Sequence, residues 1–563
     1  MIVSAVSLWK KFNVSTPLQV EEWGVEERDE IIRSHLRYNG HMVGDESVRI
    51  YARFYRPAGT EKKPVVLLLP DAGKETDEEL LAYFAEKGYA VLSPDYSGKM
   101  SSDGEAVRRT EYPDCLEYGN FERARGLYDM EDLEADKTTW FEWTYVALFS
   151  VEYLKSREDI GPIGVVGIKT GGEIAWQTML SPDIKCGVPI NAAGWQSFRQ
   201  MAKFGEDIAH NLSDDRHRYI AAVEAQSYAP SVKCPVLMLC ALRDADFDCD
   251  RAYDTYSRIG NRDGNALAYS PDTGECIGLN GLADMDLFLE KNLKGREIYI
   301  PETLNIKLQE TDGELEILVE CDKEGLLEET GIFYAEADIS TKSSYRDWRC
   351  IYKAEGRTVK NGKTSCRIQP FAGATAVFAF AYAKYINGFR VMSKITGKRL
   401  TPRTAVKNRS IFSGKEQDCF TVANYDGYSI GGIFLEREAL PSFQEGYGGI
   451  RGVYADGGLR SCKISSPQFL PNENALLEFN VYSKTTQNLL VVMETADIAR
   501  EEEKYTCVVP VKGGGKWKRI ILKSADFKGQ NSGTPLVSFQ RASAVVFDSP
   551  SQEEYLITNM LWL

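Results

Sequence analysis

The stretch that most constrains this chain is Ile163-Gly-Val-Val-Gly-Ile-Lys-Thr-Gly-Gly-Glu-Ile-Ala-Trp176. It reads as a short buried strand, a glycine-tight turn and a helix. That is the layout of a nucleophile elbow, G-x-S-x-G, in which a strained turn lifts one side chain above a sheet. Gly167, Gly171 and Gly172 stand where such a turn needs residues without a Cβ. The nucleophile position, however, holds Lys169.

The surrounding pattern supplies a sheet for this turn to sit on. Val65–Leu69, Gly88–Tyr96, Ile184–Ile190 and Pro235–Cys240 are apolar runs of the kind buried in parallel sheets. Asp77–Lys87, Trp140–Lys155 and Ala283–Leu293 have helical spacing. Strands alternating with helices over 46–295 predict an α/β domain with a mainly parallel sheet and helices on both faces. Inserts interrupt it at 97–138 and at 196–230. Residues 1–45 are polar and mixed, with helical character around Val25–His35, and are expected to pack on the outside of this domain. Past Gly295 the pattern turns to short strands, giving one all-β region over 296–396, a polar linker over 397–409 and a second all-β region over 410–563.

At 563 residues the chain exceeds what one core organises. Its net charge of −15 argues against a nucleic-acid partner, which would need a basic footprint. The start, Met1 to Trp9, is apolar but lacks a basic n-region, and no apolar run approaches a membrane span. Twelve cysteines show no C-x-x-C pair and no regular framework, so reduced thiols and a cytoplasmic location are expected. No spacing suits a metal, and no cofactor is expected. A phosphate loop would need Gly where Ile168 stands, and the glycine spacing does not fit a dinucleotide fingerprint.

Over 45–295 the chain resembles α/β-hydrolases of the dienelactone hydrolase and acetylxylan esterase kind. The points of likeness are Gly88-Tyr-Ala-Val-Leu-Ser-Pro-Asp95, the elbow with its helix, Gly187-Val-Pro-Ile-Asn-Ala-Ala-Gly-Trp195, Cys234-Pro-Val-Leu-Met-Leu-Cys-Ala-Leu-Arg-Asp244 and the closing helix. The resemblance implies a Ser, an Asp and a His on three successive loops. Here those positions fall on Lys169, on Asp244 (with Asp246 as second choice) and on Glu275 in the loop Ser270–Gly278. The chain has four histidines, His35, His41, His210 and His217, and none follows the acid. The loop Pro70-Asp-Ala-Gly-Lys-Glu75 offers backbone N–H donors but no HGGG pattern.

Serine attack needs a base to take its proton. A Lys between carboxylates is instead held as an ammonium. The expectation is an ion-pair cluster without triad chemistry. Thr170 or Cys276 as a displaced nucleophile, a Schiff-base lysine, and His210 and His217 as part of a lid are the other readings of the cleft.

The first all-β region is expected to be an immunoglobulin-like sandwich, in which Ser344–Arg349 and Tyr385–Arg390 are read as core plus a turn at Asn387-Gly388. The second resembles jelly-roll carbohydrate-binding modules of the galactose-binding-like class, through Gly446-Tyr-Gly-Gly-Ile-Arg-Gly452, the strand Leu476–Tyr482 and Gly515–Leu522 followed by Phe527. That likeness implies aromatic sugar platforms, with Tyr425, Tyr447 and Trp517 as candidates beside Tyr428 and Tyr454. The sequence thus reads as a pseudo-esterase that binds a saccharide, a small acylated molecule or a partner protein. The alternative is an active carbohydrate esterase with an unusual nucleophile. Oligomeric state is left open.

Overall fold

The computed structural model describes residues 4–75, 77–98, 108–116, 118–121, 130, 134–198, 212–244, 249–271, 273–311, 313–322, 324–337, 351–354, 358–360, 363–496 and 502–563. The first part of the chain runs α1 (Ala5–Trp9), β1 (Glu21–Arg28), β2 (Ile31–Val43), β3 (Glu46–Pro57), β4 (Lys63–Leu69), α2 (Glu78–Glu86), β5 (Ala90–Asp95) and α3 (Thr139–Lys155). It continues with β6 (Ile160–Ile168), α4 (Thr170–Thr178), β7 (Ile184–Ile190), α5 (Asp214–Ala222), α6 (Ala225–Tyr228), β8 (Leu237–Ala241), α7 (Cys249–Arg258), β9 (Ala266–Ser270) and α8 (Leu279–Lys294).

These nine strands form one sheet in the order β1-β2-β3-β5-β4-β6-β7-β8-β9. From β5 to β9 neighbours run parallel. β1, β2 and β3 are antiparallel, and β3 joins β5 antiparallel. The sheet is therefore mixed. β8 is buried at every position, as its unbroken apolar run requires. α3 is buried along almost its whole length, because it is apolar all round and sits inside the packing on one face of the sheet.

Two expectations about the first 45 residues are corrected. Val25–His35 is not helical: it spans β1, a turn at Asp29 and Glu30 with φ of 54° and 61°, and β2. Nor does this segment merely pack outside, since β1 and β2 extend the central sheet. Their burial explains the misreading. β1 is exposed at nearly every position, so it carries no alternation.

The next region pairs its strands in two antiparallel sheets, one of four strands over 305–368 and one of five over 327–399. Its interior is continuous with one face of the central sheet. Ile306, Ile317 and Val391 belong to the same cluster as Leu239, Met285 and Phe288. Tyr385 and Phe389 are fully buried, with Gly388 turning at φ 87°, while Ser344–Arg349 lies outside the described residues. The expected linker begins late: Gly397, Lys398 and Arg399 still pair with Phe378, Val377 and Ala376. The last region folds into two six-stranded antiparallel sheets around a third core that includes Phe412, Phe479, Phe547 and Trp562. Among the described residues no helix is long and apolar enough to cross a membrane.

Candidate functional site

Lys169 sits at the tip of the turn between β6 and α4, at φ 48° and ψ −113°. This is a strained conformation for a residue with a Cβ. Its N–H reaches Ile190 O at 2.8 Å and its carbonyl accepts Glu173 N at 3.0 Å, so both neighbouring elements clamp the turn. The three glycines make the clamp sterically possible. A Cβ on Gly167 would lie 2.3 Å from Gly171 O, one on Gly171 2.2 Å from Leu69 O, and one on Gly172 2.5 Å from Ala192 Cβ.

The structure brings the three sequence-predicted positions together. Lys169 Nζ donates to Glu275 Oε2 at 2.9 Å and lies 3.6 Å from Asp244 Oδ2. The Asp244 side chain is 1% exposed and that of Glu275 is 55% exposed. Burial alone would lower the ammonium pKa, but the carboxylates of Asp244, Glu275 and Asp71 outweigh it and raise it above the ordinary lysine value. The group at the nucleophile position is a cation. Asp246 lies outside the described residues, as does His210. His217 is exposed on α5.

Two contributors were not anticipated. Asn191, at φ 50°, donates through Nδ2 to Asp244 Oδ2 at 2.9 Å and to Glu275 O at 3.0 Å, while its Oδ1 accepts Ala241 N at 2.7 Å. One amide thereby ties the acid strand to the loop after β9. The second is Asp71, in the loop after β4. Its Oδ1 accepts the N–H of Thr170 at 3.2 Å and that of Ala72 at 2.9 Å. In an elbow enzyme, the N–H after the nucleophile and one from the loop after this strand form the oxyanion hole. Here both amides point at the protein's own carboxylate. Asp71 was visible in the sequence only as part of a donor loop, and nothing in its spacing revealed where its side chain turns.

Cys276 is a poor stand-in nucleophile. Its thiol donates to Gly432 O at 3.5 Å, and burial, together with the neighbouring Glu275, pushes its pKa up to about 12.

Behind the elbow, Glu173 accepts Gly194 N through both oxygens, at 2.8 and 3.1 Å. Glu224 holds the same loop through Trp195 N and Ser197 N. Burial raises Glu173 to about 8, against the opposing pull of the Gly194 N–H and with Glu224 adding to the rise.

The mouth of the cleft is a cavity of about 550 Å³ lined by Asp71, Lys74, Glu78, Lys169 and Glu275. Gly431, Gly432 and Ile433 of the last region close one side of it. They belong to a hairpin, Ser429–Ile430 with Phe434–Leu435, turned by Gly431 and Gly432 at φ 60° and 65°. Ile277 N donates to Ile433 O at 2.7 Å and Leu435 N to Ile277 O at 2.9 Å, so the hairpin runs along the loop that carries Glu275. Among the described residues, no group of His, Cys, Asp and Glu is arranged to hold a metal.

An elbow with a positive-φ tip, on a sheet of this order, is the mark that decides the comparison. Residues 50–265 match the dienelactone hydrolase family. The domain built on β3 to β9 is thus α/β-hydrolase-like, with a mixed sheet. The chain is 29% identical over 174 residues to the Bacillus subtilis (strain 168) protein YtaP, named as a hydrolase. That match covers 30% of this chain and 54% of YtaP, about half the length of that relative. Among solved structures it is similar to the acetyl xylan esterase of Paenibacillus sp. R4, with TM-score 0.41, 17% identity, and coverage of 51% of this chain and 92% of that one. Acetyl xylan esterase 1 of Thermoanaerobacterium sp. JW/SL YS485 follows, with TM-score 0.39, 16% identity, and coverage of 51% and 92%.

Of the aromatic candidates, Tyr447 is 58% exposed, and Trp517 is half-buried, donating Nε1–H to Tyr447 O at 3.0 Å. Tyr482 joins them, its ring 5.5 Å from that of Trp517. Tyr425 is corrected: it is buried in the core of the last region and packs beside Gly274 of the Glu275 loop.

Proposed function

We propose that the hydrolase-like domain is catalytically silent and that the chain works by binding. The observation that carries this reading is Asp71, whose carboxylate occupies the amides of Thr170 and Ala72 beside a lysine at the elbow tip. A developing oxyanion would meet an anion there instead of donors. Lys169, held by two carboxylates, has no free pair with which to attack. In this reading the last region is a jelly-roll module whose Tyr447, Trp517 and Tyr482 shelf takes a saccharide, and the region before it is an immunoglobulin-like spacer. Amphipathic rings, partly exposed and backed by polar neighbours, suit a ligand with both apolar faces and hydroxyls.

The test is turnover of p-nitrophenyl acetate by the full chain and by Lys169→Ala. Both are expected to match the buffer rate. A saccharide array probed with the full chain and with Trp517→Ala then tests the shelf, with signal expected only for the unaltered chain.

A second reading is favoured by one feature, the strain at Lys169. A non-glycine residue at φ 48° and ψ −113° costs energy that persists where a site uses it. An acyl hydrolase with an unusual nucleophile would explain its retention. Turnover by the unaltered chain that disappears in Lys169→Ala would establish this second reading in place of the first.

A further inference from the structure

We propose that the saccharide taken by the last region is an acidic one, its carboxylates held by the lysines that border the aromatic shelf. This rests on the reading of Tyr447, Trp517 and Tyr482 as that shelf, and adds the charge of the ligand.

The shelf is assembled from elements far apart in sequence. Tyr482 closes the strand Leu477–Tyr482, and Trp517 enters the strand Lys518–Leu522 that pairs with it. The indole also reaches the hairpin of Ser442–Glu445 and Arg451–Tyr454. A Cβ on Gly446 would lie 2.7 Å from Trp517 Cζ2, and one on Gly452 2.8 Å from Trp517 Cη2. Two positions without a side chain therefore let the ring lie against the hairpin backbone.

Charge around the shelf is one-sided. From Val511 to Leu522 the chain carries Lys512, Lys516, Lys518 and Arg519 and no Asp or Glu. Arg519 is engaged by Glu478 at 2.6 Å, while the three lysines make no ion pair among the described residues. Lys516 Nζ lies 5.8 Å from the centre of the Tyr447 ring, and Lys518 Nζ donates to Lys512 O. Lys484, exposed, adjoins the same loop, since its carbonyl accepts Gly514 N at 3.1 Å. The remaining carboxylates nearby have partners of their own. Glu445 stands opposite Arg451 in the hairpin, and Glu553 accepts Thr485 Oγ1 at 3.1 Å.

The whole chain carries −15, so this patch runs against its average. At physiological ionic strength charge interactions fade over about 8 Å. The local lysines, and not distant carboxylates, therefore set the field over the rings. An ammonium on a flexible stem can meet a carboxylate at the rim of a sugar while the aromatic faces take its apolar side. A neutral saccharide would use the rings alone. A nucleic acid would ask for a wider basic footprint than this loop, which Glu445 and Glu478 flank.

The test is calorimetric titration of the full chain with polygalacturonate and alginate, each compared with its methyl ester, in which the carboxylates are neutralised. The acids are expected to bind about tenfold more tightly than the esters. That advantage is expected to vanish as NaCl rises from about 0.05 to about 0.5 M. Lys512→Gln with Lys516→Gln, both exposed, is expected to weaken the acids about fivefold more than the esters. Equal binding of acid and ester, or acid binding that ignores the two lysines, would overturn this inference and leave the shelf standing. So would silence of both acids while a neutral glycan gives signal on the array. Silence of every glycan would remove the shelf and this inference with it. Tighter binding of oligothymidylate than of either acid would overturn it in favour of a nucleic acid.

Discussion

Asp71 Oδ1 accepts the backbone N–H of Thr170, so the amide that follows the elbow tip already holds a negative charge. In the proposed reading this contact weighs more than Lys169, because a side chain at the tip can be exchanged while a filled anion site would block whatever replaces it.

Rebuilding the triad on these positions tests that distinction. Lys169→Ser with Glu275→His places the missing groups beside Asp244. With Asp71 retained, ester turnover is expected to stay about 10²–10³-fold below that of the same variant carrying Asp71→Ala, the range set by losing an oxyanion donor. Equal p-nitrophenyl acetate rates for the two variants would show that Asp71 does not block the site.

Gly171→Ala is expected to be severely destabilising, by more than about 4 kcal/mol. The added methyl would sit 2.2 Å from Leu69 O and 2.4 Å from Pro70 O, both backbone atoms that no rotamer change moves. Urea unfolding monitored by tryptophan fluorescence measures the loss. A midpoint near that of the unaltered protein would mean that the turn can make room for the methyl beside Leu69 O.

Glu173 makes stability fall as pH rises. Its folded pKa of about 8 exceeds the ordinary 4.5, so the folded chain holds the proton more tightly than the unfolded one. The favourable contribution is therefore complete below pH 4.5 and is lost as pH climbs to 8. Glu173→Gln removes this dependence and is expected to flatten the decline in melting temperature between pH 5 and 8, by up to a few kcal/mol at about 1.4 per pKa unit. Asp284 acts in the same sense, so the profile flattens without becoming level. Parallel profiles for the variant and the unaltered protein would refute the assignment.

Phe434→Ala is expected to loosen the last region from the hydrolase-like domain. Phe434 is fully buried and lies opposite Ile277. Phe-to-Ala truncation in a core costs about 3–5 kcal/mol. Faster proteolysis within 270–278, the loop carrying Glu275, is the expected readout, and unchanged cleavage would mean that the hairpin does not brace that loop.

The elbow was legible because its glycines are demanded by backbone contact, not by preference: only residues without a Cβ leave room for Leu69 O and Gly171 O. Chain order likewise indicated that the loops holding Asp244 and Glu275 meet Lys169, since parallel strands deliver successive loops to one edge of the sheet. What stayed hidden depended on partners distant in sequence or on loop rotamers. β1 shows no alternation because it is an exposed edge strand. Tyr425 looked like an exposed ring because its burial comes from side chains well separated from it in sequence, within the last region's core and at Gly274 of the Glu275 loop. Asp71 turns back onto its own loop and the elbow, a choice that composition does not encode.

The hydrogen bond from the Cys276 thiol to Gly432 O spans 156 residues. A ribosome adding about 5–20 residues per second needs roughly 8–30 s to cross that interval. During synthesis the central sheet is therefore complete while the hairpin that borders the cleft does not yet exist. The nascent chain passes through a stage with the Glu275 loop uncovered on one side, and the finished protein does not return to it without undocking its last region.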